Sequence, residues 1–169
     1  VRETHSDATF SFHVQRKEIR RWGSDIIVRD AVTRRLGVER DAALSPSEGA
    51  HEIALPQWGG VIEMVPCMGD EDGIARSRVT APEAKLEVRA AVGAVKLKLW
   101  ALRPGKALKD LYAQAGIPAY VRVDMPKLWL NNELLFAAGL GMDVRFADDP
   151  AKYPDRVKFL WRPDRSLWD

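Results

Sequence analysis

The sequence predicts an α+β protein: short helices and a hairpin at the N-terminal end, then a small C-terminal domain of strands with one main helix. Three observations carry that expectation. Apolar residues recur with period two over residues 52–65 and 86–99, which is the strand period. One run, GKALKDLYAQAGIP, is strongly amphipathic at helical spacing, and Trp58-Gly59-Gly60 and Asn131-Asn132 stand as turn residues between apolar runs. With 169 residues, 46% of them hydrophobic and 30% charged, the chain is long enough for one or two small domains and has ordinary globular composition.

Residues 1–9 are polar and aperiodic and read as a frayed end. Over residues 15–37, Ile19, Trp22 and Ile26 keep helical spacing, and Gly23-Ser24 fits a C′ glycine followed by an N-cap serine, so two short helices ending at Gly37 are expected. The β-branched Ile26, Ile27 and Val28 keep a strand open there. Residues 39–51 form a Ser/Pro/Gly connector. A hairpin follows around Trp58-Gly59-Gly60, then a GDEDG turn at 69–73, a short strand from Ile74 to Thr80, and APEA (81–84) as a hinge. The expected organisation is therefore a linker or middle region at 1–84 and an α+β domain at 85–165.

In the second region two half-buried strands are expected, Leu86 to Ala90 and Val95 to Leu99, joined at Val92-Gly93. The main helix places Ala107, Leu108, Leu111, Tyr112 and Ala115 on one apolar face; Gly116 stops it at C′ and Pro118 forbids continuation. After a PAYVRVDMP turn, KLWL and ELLFAAG flank Asn131-Asn132 as a tight hairpin. LGMDVRF and VKFLWR close the chain as strands, the latter with Val157, Phe159 and Trp161 on one face.

The sequence holds no recognisable catalytic set. No apolar run approaches the roughly 20 residues that span a bilayer, and no secretory leader opens the chain. Cys67 has no disulfide partner and reads as an inert buried thiol, and His5, His13 and His51 make no spaced metal-ligand set, so a reducing, cytoplasmic location and no metal are expected. Phosphate-cradling glycine loops, a GxSxG elbow and an HExxH helix are all missing. Asp70, Glu71 and Asp72, like Asp148-Asp149, read as solvated loops. The first residue is Val1 rather than Met, which suggests processing or a piece of something longer.

Charge is distributed unevenly. Residues 1–84 carry a net −3 and residues 130–169 a net −1, whereas residues 85–129 carry a net +6, nine basic side chains against three acidic ones. Such a field points to an anionic partner, nucleic acid above all, although a solvated basic face is the plainer alternative. The candidate contacts are Arg103, Lys106, Lys109, Arg122, Lys96 and Arg89, with Lys106 and Lys109 spaced i, i+3 on the polar side of the helix. Trp100, Tyr112, Tyr120 and Trp129 are interleaved with them; Tyr112 and Trp129 read as core. The Arg16–Arg35 stretch, with seven basic residues against three acidic, is either a second RNA face or a solvated helix surface.

Residues 103–146 resemble the C-terminal domain of bacterial tRNA(Ile)-lysidine synthase. The resemblance rests on Lys106, Leu108-Lys109, Gly116-Ile117-Pro118, Tyr120, Arg122, Pro126 and Gly139-Leu140-Gly141, and extends weakly over about residues 53–162. The chain departs from the family where Gly93-Ala94-Val95 replaces Gly-Gly-Glu, Tyr120 a Trp and Ala113 a Gln. The resemblance implies a domain that grips the acceptor stem of an isoleucine tRNA. An N-terminal domain of the same enzyme, its partner, would use ATP to join lysine to the wobble cytidine. ATP and lysine would be ligands of that domain, and this chain would hold no cofactor of its own. A structural or protein-interaction module that kept the fold but not RNA binding is the alternative, and homodimerisation is left open.

Overall fold

The computed structural model describes residues 11–14, 17–22, 25–30, 40–90 and 94–164, and the chain divides into one unit up to Val38 and another from Glu39. In the first unit, β1 (Ser11–Val14), β2 (Lys17–Trp22) and β3 (Asp25–Asp30) form an antiparallel meander in that order. The two helices expected here are replaced by strands. Ile26, Ile27 and Val28 are stiff at χ1 and favour extended backbone, and a Gly-Ser dipeptide between two such runs is a hairpin signal as much as a helix boundary. The expected frayed end, the stop at Gly37 and the join at Val92-Gly93 lie outside the described residues.

The second unit contains two antiparallel sheets. The five-stranded sheet, in spatial order, comprises β13 (Gly141–Met142), β12 (Glu133–Ala137), β11 (Lys127–Leu130), β8 (Leu86–Arg89) and β4 (Ala42–Leu44). The four-stranded sheet comprises β5 (Glu52–Leu55), β6 (Gly60–Pro66), β14 (Arg156–Pro163) and β7 (Ile74–Ala75). A separate ribbon pairs β9 (Lys96–Leu97) with β10 (Lys106–Ala107). The short helices among the described residues are α1 (Arg76–Thr80), α2 (Leu108–Gln114) and α3 (Ala119–Arg122).

These pairings cross the hinge expected at 81–84. β4 pairs with β8 and β6 with β14, so strands from both sides of that hinge share the same sheets, and the division falls at Val38 instead. Likewise β8 and β9 are not a hairpin: β8 lies between β11 and β4, and β9 turns to β10. The expected strand from Ile74 to Thr80 is two strand residues followed by α1, and α3 occupies the stretch expected to be a turn.

Local sequence explains the elements that match expectation. At the tip of the β11–β12 hairpin Asn131 and Asn132 have φ of 49° and 67°, as a two-residue type I′ loop requires. The end of α2 closes as a Schellman motif: Gly116 takes φ 69°, its N–H donates to Ala113 O at 3.0 Å, and the Ile117 N–H reaches Tyr112 O at 2.9 Å. β11 is buried along its whole length, so it shows no alternation, whereas β14 buries Val157, Phe159 and Trp161 and exposes Leu160. Phe136 of β12 and Phe159 of β14 bring the sheets together, ring centroids 5.7 Å apart.

Replacing Leu135, which is fully buried in β12, by Ala should lower the unfolding free energy by about 3 kcal/mol in urea titrations. Leu160→Ala, on the exposed side of β14, should change it by less than about 0.5 kcal/mol.

Candidate nucleic-acid interface

The six basic residues singled out from sequence fall into two groups. Lys96, Arg103, Lys106 and Lys109 are all exposed. Lys96 and Lys106 sit on the two strands of the β9–β10 ribbon, where Lys106 pairs with Leu97 and Ala107 with Lys96. Arg103 is on the loop joining them, and Lys109 lies in the first turn of α2, which follows β10 directly. The ribbon continues into the helix through the Leu108 N–H, which donates to Val95 O at 3.1 Å. These four cations therefore cluster around one short hairpin and the helix start. Lys106 is a strand residue, however, because the helix begins only at Leu108, so the i, i+3 helical pairing with Lys109 does not exist.

Arg89 and Arg122 are committed to the fold. The Arg89 guanidinium pairs with Glu87, donates to Asn132 Oδ1 at 3.0 Å and lies 4.7 Å from the Trp129 ring centroid. It belongs to the five-stranded sheet and not to the ribbon. Arg122 donates from Nε to Ile117 O at 2.7 Å and from Nη1 to Lys109 O at 3.2 Å, tying α3 to both ends of α2. Of the interleaved aromatics, Tyr112 and Trp129 are core as expected, and Tyr120 is buried as well. Tyr112 donates its hydroxyl to Ala138 O at 2.9 Å, and burial pushes its pKa up.

Sequence reasoning counted Lys127 among the positive field, yet it is buried at the start of β11. Its Nζ donates to Arg122 O at 2.8 Å and lies 5.8 Å from the Tyr112 ring centroid. Burial, reinforced by Arg40, lowers its pKa to about 8 against a smaller opposing pull from Asp124. The available signal was its place heading the wholly apolar run Leu128-Trp129-Leu130.

The ribbon is held in place by a carboxylate that the sequence did not mark. Asp143 is fully buried; it accepts from the Lys98 N–H at 3.0 Å, the Arg145 N–H at 2.9 Å and the Arg145 guanidinium at 2.8 Å. Burial acts to raise its pKa, but the hydrogen bonds from Arg145 and Lys98 outweigh it and the net shift is downward. Asp148, expected to be a solvated loop residue, is likewise bonded, to the Ala75 N–H at 2.7 Å and to Arg78 at 2.7 Å. Asp70, Glu71 and Asp72 are exposed, and burial raises the pKa of the buried Cys67 thiol. Among the described residues no group of three or more His, Cys, Asp or Glu could hold a metal ion, and no helix is long and apolar enough to cross a membrane.

A compact strand-rich unit whose cations gather on a hairpin and helix start matches one domain class directly: residues 86–163 fit the TilS substrate C-terminal domain. Over that stretch, a little under half of its length, the chain is similar to that domain. Its curated relatives are tRNA(Ile)-lysidine synthases. The Burkholderia mallei protein is 32% identical over 120 residues, covering 69% of this chain and 24% of its own length. The Ralstonia nicotianae protein is 38% identical over 91 residues (54% and 19%), and that of an Azoarcus strain 32% over 98 residues (58% and 18%). This chain thus spans about a quarter or less of the relatives it matches.

Because the folded pKa of Asp143 is depressed, its contribution to stability is complete above the ordinary aspartate range and is lost as pH falls through the folded value. Asp143→Asn should therefore melt well below the parent at neutral pH, with the gap in Tm shrinking below about pH 4. Thermal melts across pH 2–8 measure both limbs.

Proposed function

We propose that this chain is the tRNA-binding C-terminal part of a tRNA(Ile)-lysidine synthase. The observation that carries the reading is the cluster of exposed Lys96, Arg103, Lys106 and Lys109 within the stretch that is similar to the TilS substrate C-terminal domain. An A-form stem hides its base edges in a deep, narrow groove, so a protein grips it through phosphates and 2′-hydroxyls; flexible lysines on a rigid ribbon suit that task. In the whole protein the partner of this region would be an N-terminal domain that uses ATP to ligate lysine to the wobble cytidine of an isoleucine tRNA. The acceptor stem would be the part held here. A cytoplasmic setting follows from that substrate. Isologous pairing of two copies would add a second cation cluster without changing the first.

Each phosphate neutralised by a lysine releases counterions, so the binding constant should fall linearly with salt on logarithmic axes. The Lys106→Ala/Lys109→Ala double variant should bind an isoleucine tRNA more weakly and reduce that slope by about 2, with the melting temperature unchanged because both side chains are exposed. A parent chain that fails to bind tRNA at about 50 mM salt would instead favour a purely structural module. A double variant that binds like the parent would remove these two residues from the interface.

A further inference from the structure

The loop between β9 and β10, residues 98–105, carries chemistry that the lysine cluster does not use. Its base is fixed on both sides. The Lys98 N–H donates to Asp143 Oδ2 at 3.0 Å, the Val144 N–H donates to Lys98 O at 2.8 Å, and Lys106 closes the other side by pairing with Leu97. A turn at the tip is closed by the Arg103 N–H donating to Trp100 O at 3.2 Å. On this fixed base stand Leu102, 100% exposed, and Trp100, 46% exposed. The Arg103 guanidinium carbon lies 5.4 Å from the centroid of the Trp100 ring.

Loop tips ordinarily carry small polar residues, and a large aromatic and a large aliphatic side chain side by side in water need a reason. Trp58, Trp129 and Trp161 are buried, so among the described indoles Trp100 is the one that offers its ring to solvent. A cation over the ring holds it against rotation, and the indole still keeps 46% of its surface open to solvent. Planar surfaces beside lysines are what bases stack on when they leave a helix, and such stacking tolerates any base because each has a π face. Two apolar side chains are too few to hold a bilayer, for which even a whole acyl chain is marginal, whereas a single aromatic ring is enough for one base to stack on.

We propose that the Trp100–Arg103 loop is a stacking platform for an unpaired nucleobase at the end of an RNA stem. The proposal rests on the RNA-binding reading above and adds the feature recognised: a paired stem lies along Lys96, Lys106 and Lys109, and the first nucleotide beyond it stacks on Trp100. Leu102 covers the edge of that base.

The test uses two short RNA hairpins with the same stem, one blunt and one with a single-stranded 3′ extension whose first nucleotide is 2-aminopurine. The extension should tighten binding to the parent chain about tenfold and quench the 2-aminopurine fluorescence. Trp100→Ala should abolish both effects while leaving the affinity and salt slope for the blunt stem unchanged, and Trp100→Phe should restore most of the gain. Equal affinity for the two hairpins, with Trp100→Ala silent, would overturn the platform. Salt-dependent binding of the blunt stem would in that case leave the lysine interface standing, whereas failure of both hairpins to bind removes both readings. Binding to phosphatidylglycerol vesicles that is lost in Trp100→Ala, without any preference for the extension, would also overturn the proposal and assign the loop to a lipid surface.

Discussion

The arrangement of this surface depends on one buried carboxylate. Asp143 lies after β13 at the edge of the five-stranded sheet, and its oxygens take the N–H groups of Lys98 and Arg145 together with the Arg145 guanidinium. A charge without solvent exposure is stable only when its lone pairs are occupied, and here the backbone of the loop supplies one of the donors. Because the ribbon has only two paired residues on each strand, it could not hold its own register in water. The carboxylate therefore makes the position of Lys96, Arg103 and Lys106 a property of the sheet.

Counting charges along a sequence overstates the field that a partner meets. The segment 85–129 has nine cations, but Lys127 is inside the core, while Arg89 and Arg122 spend their donors on Asn132, Ile117 and Lys109. Arginine suits that internal work because its planar fork satisfies several acceptors at once and stays charged. The residues left facing water are chiefly lysines, whose single ammonium and flexible stem match a phosphate backbone approached without base reading.

Where the sequence was legible, one physical rule acted alone. Asn131-Asn132 could be read because positive φ at two successive residues has few other solutions, and the end of α2 because Gly116 and Pro118 agree. Competing signals defeated the reading elsewhere: Ile19, Trp22 and Ile26 fit helical spacing, yet the β-branched run beside them belongs to β3. The expected hinge at 81–84 failed because the strand partners of β6 and β8 are distant in sequence, and composition carries no trace of β4 or β14 finding them. Within the site, types and numbers of cations were visible, but burial was not, so the buried Lys127 counts toward the field in sequence while the buried Asp143 carries no mark there.

The placement of β14 reaches beyond equilibrium structure. This strand lies between β6 and β7, pairing Arg156 through Pro163 with partners some 90 residues earlier in the chain, from Ala75 back to Gly60. During synthesis, β6 emerges long before its neighbour exists and must wait with an open edge, a state in which Ile62 and Met64 have no covering sheet. The early half of this unit thus completes its sheet only once residues 156–163 have been made, and a chain ending before residue 156 keeps the β6 edge unpaired.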